Sequence, residues 1–219
     1  MKPILFNTEM VRAILEGRKT VTRRVVKFQL GRNPKWTGYV VDGLTLYNGR
    51  NEPCNVPAPY KVNDILYVRE SYMPAGCRMC EAYECYGSCG CPDYLYKADF
   101  GENDLAEFKE DGYNWKPSIH MPKEAARIFL RVISVRMERL LAITEEQAWK
   151  EGIVSECARC KNYDSLECQE CANIYEALDN FMDLWDSTIK KDQLNTYGWE
   201  ADPYVWVIEF ERVEKPAAD

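Results

Sequence analysis

The feature that most constrains the fold is the run Gly17-Arg18-Lys19-Thr20-Val21-Thr22-Arg23-Arg24, which follows directly on a short amphipathic segment. Upstream, Asn7 or Thr8 can cap a helix whose apolar positions Met10, Val11, Ile14 and Leu15 recur at helical spacing. Gly17 falls where that helix must stop, because glycine enters the left-handed conformation without a Cβ penalty. A tight turn running into a strand is therefore expected, carrying four cations and two threonine hydroxyls. Such a turn suits a phosphate or a polarised carbonyl, although it can also be a solvated basic turn.

A second segment, Ile143 to Gly152, repeats the device. Thr144 and Gln147 have the spacing of a capping box, and Gly152 stands at another C′ position. Glu151 then closes a helix of about two turns at the negative end of its dipole. That position raises a carboxyl's pKa unless a cation is near, and Lys19 is the expected partner.

Charge is distributed unevenly. The net charge of the 219 residues is −7, which argues against coating nucleic acid by bulk electrostatics. Yet residues 1–36 hold nine Lys or Arg against two Glu, a local +7 that leaves −14 for the remainder. One basic patch on an acidic body fits local recognition of a phosphate or nucleotide. It equally fits a strand edge protected by charge. No apolar stretch approaches the ~20 residues of a membrane span. The first residues turn polar too early for a signal peptide, so a cytoplasmic protein without membrane association is expected.

Ten cysteines in such a chain call for metal rather than disulfides. Cys157-x2-Cys160-x7-Cys168-x2-Cys171 offers two knuckles, enough for one tetrahedral zinc. Cys77-x2-Cys80-x4-Cys85-x3-Cys89-x-Cys91 offers five thiols for four positions, leaving Cys89 and Cys91 as alternatives. One or two structural zinc ions are expected, in insertions at about 73–92 and 154–172. Cys54 stands alone and reads as an apolar core residue.

Between these landmarks the chain reads mainly as strands: 21–29, a hairpin across 39–47, 64–72, a short strand 94–97, 126–136 and 204–213. Helices are expected at 105–111 and 173–190. The pattern predicts one α+β domain over 1–219, a small mixed-strand barrel flanked by helices. Arg69 and Glu70 end an apolar strand, where they can line a pocket or face water. His120 is the only histidine, and Trp115 and Tyr72 are candidates for stacking a base.

The segments EGRKTVTRR (16–24), NDILYVRESY (63–72), WKPSIHMPKEAARIFLRV (115–132), ITEEQAWKEGI (143–153) and YVWVIEF (204–210) together resemble ASCH-domain proteins of the PUA-like superfamily. The resemblance is strongest to the longer versions encoded by phages and prophages. It implies a PUA-like mixed β-barrel that binds RNA, DNA or a nucleoside. Small enzymes of the family hydrolyse the acetyl amide of N4-acetylcytidine. Motif for motif, their lysine, threonine and glutamate fall on Lys19, Thr22 and Glu151. Arg24, Arg69, Glu70, Trp115 and His120 are then the expected substrate-binding residues. The greater length and the cysteine insertions depart from those enzymes. A non-catalytic RNA- or DNA-binding module and a ribonuclease are the alternatives.

Overall fold

The computed structural model describes residues 1–27, 39–40, 44–47, 51, 53–54, 56–75, 92–153 and 176–216. Every cysteine except Cys54 lies outside them, as does the expected Asp42-Gly43 turn. The fold is mixed α+β. Strands β1 (Lys2–Leu5), β2 (Val21–Val25), β6 (Ile65–Arg69), β9 (Phe129–Arg139) and β10 (Tyr204–Val213) form a five-stranded sheet in the order β1-β6-β9-β10-β2. Its pairings are mixed: β1 runs parallel to β6, whereas β6 with β9 and β10 with β2 are antiparallel. Among the described residues the sheet is open, with β1 and β2 as its edges. A small antiparallel sheet joins β3 (Tyr39–Val40), β4 (Leu46–Tyr47) and β5 (Pro53–Cys54). A third pairs β7 (Tyr72–Pro74) with β8 (Tyr94–Tyr96).

The chain divides into two compact units. The first comprises Met1–Glu16, Asp64–Arg131 and Arg212–Asp219. It contains α1 (Thr8–Leu15), whose N-cap Asn7 accepts from the Met10 N–H at 2.8 Å. Val11, Ala13 and Ile14 form its buried stripe, and Glu9 in its first turn complements the dipole. Helix α2 (Glu102–Glu110) starts three residues earlier than the sequence suggested, because Asp104 accepts from the Gly101 N–H at 3.0 Å and closes the first turn. Tyr72, Met121, Ala125, Ala126 and Phe129 form this unit's aromatic-rich cluster.

The second unit comprises Gly17–Asn63 and Val132–Glu211. Its core gathers Val21, Val205 and Val207 from the strands, Ala148 from α3 (Glu145–Lys150), and Ala177, Phe181 and Trp185 from α4 (Glu176–Thr188). The short helix α5 (Leu194–Tyr197) is tied to α4 by the Trp185 indole, which donates to the Tyr197 carbonyl at 2.8 Å.

Two strand assignments from the sequence need correction. The run expected over 64–72 is two strands, broken at Glu70, whose carboxylate turns inward to Arg127. The strand expected to begin at Ala126 begins at Phe129, because a 3-10 turn over Lys123–Ala125 occupies the approach.

Candidate functional site

Two glycine turns, at Gly17 and Gly152, frame the site in the second unit. Gly17 follows α1 with φ +77°, and Gly152 follows α3 with φ +86°, so both chains reverse where the sequence demanded it. The segments behind them meet as a backbone bridge between Lys19 and Glu151, extended by the Thr20 N–H donating to the Lys150 carbonyl at 2.9 Å. Arg18 seals the corner by donating to the Gly152 carbonyl at 2.8 Å.

Lys19 is 3% exposed. Its Nζ donates to the Val21 carbonyl at 2.8 Å, the Glu151 carbonyl at 2.8 Å and Glu151 Oε2 at 2.7 Å. An ammonium has three protons, so these contacts saturate it. Burial pulls the Lys19 pKa below its ordinary value; Glu151 opposes the shift, while Arg24 and Arg23 add to it. The pairing with Glu151 expected from the sequence is thus present.

Sequence reasoning missed the third member. Arg23 is buried and donates to the other oxygen, Glu151 Oε1, at 3.0 Å. Its second terminal nitrogen reaches Glu138 Oε1 at 2.8 Å and Gln147 Oε1 at 2.6 Å. Gln147 still accepts from the Thr144 N–H at 3.3 Å, so the capping residue of α3 also anchors the site. Strand alternation was the available signal: Arg23 shares the face of the core residue Val21, whereas Thr22 and Arg24 take the other.

Thr22 is 4% exposed on that other face, opposite Ile208 in register. Its hydroxyl makes no hydrogen bond among the described residues. Arg24 pairs in register with Trp206 and is half-buried. Burial lowers its pKa, with Tyr60 and Glu151 opposing, so its charge lies within electrostatic range of the buried pair. Beside it opens a cleft of about 250 Å³ lined by Arg24, Lys27, Trp206, Val56, Pro57 and Pro59. Lys27 and Trp206 were not anticipated.

The remaining expected residues belong to the first unit. Arg69 donates to the Met121 carbonyl at 2.9 Å and to the Ile119 carbonyl, fastening that segment. Glu70 is fully buried and binds Arg127 through both oxygens, at 2.9 and 3.0 Å. Trp115 packs against Phe100 and Phe108, each with centroids 5.8 Å away, and its indole nitrogen is buried with no hydrogen-bond partner among the described residues. His120 is exposed at the end of a 3-10 turn, and its carbonyl accepts from the Tyr72 hydroxyl at 3.0 Å. Tyr72 itself is 5% exposed and packs edge-on against Tyr94, so its ring is core rather than a stacking platform.

Compared with family models, curated proteins and solved structures, the chain matches none. Among the described residues, no helix is long and apolar enough to cross a membrane, and no group of three metal-ligating side chains occurs.

Proposed function

We propose that this chain recognises a nucleoside, free or within a nucleic acid, in the cleft beside Arg24, on a fold of the PUA-like, ASCH type. The observation that carries the reading is the lining of that cleft: two cations, Arg24 and Lys27, around an apolar floor of Trp206, Val56 and the prolines. Cations select phosphate or an electron-rich carbonyl, and an apolar floor selects a flat ring. The volume of about 250 Å³ lies just below the range of roughly 300–1,000 Å³ typical of small-molecule pockets. It suits one base or nucleoside rather than several stacked nucleotides.

Titration calorimetry with nucleosides, mononucleotides and short RNA or DNA tests this. Arg24→Gln should weaken binding about tenfold or more, since a hydrogen bond to a charged group is worth about 1.5–3 kcal/mol. Lys27→Gln should flatten the salt dependence. Absence of binding to every one of these ligands would refute the reading.

A second reading, hydrolysis of an N4-acyl amide of cytidine, is favoured by the buried Lys19–Glu151 pair within range of Arg24. Water would add to the carbonyl carbon and the C–N bond would break, releasing carboxylate and cytidine. Glu151 accepts from a cation at each oxygen, as a carboxylate does. The Lys19 ammonium, with its pKa lowered by burial, would supply the proton for the leaving amine. Acetate release from N4-acetylcytidine, lost in Lys19→Met and Glu151→Gln, is the expected outcome. A wild type that binds but shows no turnover would leave a recognition module.

The cysteine spacings support one or two structural zinc ions bound by residues outside the described ones.

A further inference from the structure

Glu151 has two oxygens and two cationic claimants. Lys19 takes Oε2 and Arg23 takes Oε1, with both pairs nearly excluded from solvent. Arg23 cannot easily let go, because its other terminal nitrogen is committed to Glu138 on β9 and Gln147 on α3. Phe181 of α4 lies 5.9 Å from its guanidinium carbon. The guanidinium is thus fixed from three elements, and the carboxylate plane is fixed through it. Turning Glu151 so that both oxygens met Lys19 would break the Arg23 bond.

We infer that Arg23 is a positioning residue of this site, holding one oxygen of Glu151 so that Lys19 meets only the other. Lys19 is thereby kept beside a second cation and denied half of its counter-ion. Among the described residues, the charged groups facing Lys19 are Glu151 at the end of α3 and Arg23 and Arg24 on β2. Glu138 and Gln147 act on it through Arg23. Arg23 and Arg24 both work in the direction that burial does, easing the loss of the lysine proton. The inference deepens the proposed function only in the sense that proton transfer at Lys19 matters if that reading holds. The geometry of the pair does not depend on any ligand.

The test is a pH titration of the Lys19 Nζ resonance by 15N NMR on the ligand-free protein, assigned by its loss in Lys19→Arg. Arg23→Gln removes a like charge and gives Lys19 both oxygens, so its midpoint should rise by about one pH unit. Arg23→Lys keeps the cation and should restore the midpoint most of the way. A folded Arg23→Gln whose midpoint stays at the wild-type value overturns the inference. Should that variant not fold, Glu138→Gln serves, because Glu138 lies nearer solvent, at 18% side-chain exposure. It leaves the Arg23 charge less shared, so the Lys19 midpoint should fall, and an unmoved midpoint again overturns the inference. A purely structural Arg23 would alter melting temperature without moving this titration. Failure to bind nucleosides would defeat the functional reading and leave this result standing.

Discussion

Glu70 is 1% exposed, and its counter-ion among the described residues, Arg127, also binds Asp99 at 2.7 Å and lies 4.0 Å over the Tyr96 ring. Burial pushes the Glu70 carboxyl above its ordinary value in spite of Arg127, while the two carboxylates hold the guanidinium protonated. A buried pair of this kind contributes little net stability, but losing one partner is costly. Arg127→Ala should therefore destabilise the protein by about 3–5 kcal/mol at neutral pH. The sign of its pH dependence follows from the raised carboxyl: removing the cation raises the folded value further. The deficit should be small below about pH 4, where Glu70 is protonated in both states. It should grow as pH rises through the folded value. Urea denaturation of wild type and variant at about pH 4 and about pH 8 measures the difference. An equal deficit at both would mean that lost packing, not the stranded carboxylate, sets the cost.

At the scale of elements, the glycine-terminated helices show what local sequence can specify. Nothing lies within 4 Å of where a Cβ on Gly17 would sit, so Gly17→Ala meets no clash. Its φ of +77° is the whole penalty, about 1–2 kcal/mol. Thermal denaturation should show that loss, and a neutral result would mean that the turn relaxes to negative φ. The Asn7 cap, the Thr144–Gln147 capping box and the β10 strand were all legible in the sequence, because each is fixed by residues within a few positions. The break at Glu70 was not, since its cause, Arg127, lies 57 positions away. For Arg23, strand alternation marked the core-facing side, but the partners were opaque for the same reason. Its partners stand 115, 124 and 128 positions downstream, and no spacing rule reaches so far. Trp206 reads as one more apolar residue of a closing strand until Arg24 is found beside it in register.

For the whole molecule, the cysteines make the strongest bulk prediction. Protein purified without chelators should contain one zinc for Cys157, Cys160, Cys168 and Cys171, and a second for the Cys77–Cys91 set. Replacing Cys160 and Cys171 with serine should release one equivalent and lower the melting temperature, since the binding energy of a structural ion is also folding energy. Metal analysis that finds no zinc would sink the idea. The bridge between Lys19 and Glu151 carries a different consequence, one of timing. Its two halves are 132 residues apart, so at about 5–20 residues per second a ribosome makes the basic turn roughly 7–26 s before its acidic partner. Helix α1 and the turn after it have everything they need from the start, but the cations have only water to bind. The centre on which function would depend thus cannot close before Glu151 is made, with α4, α5 and β10 of the second unit still to come.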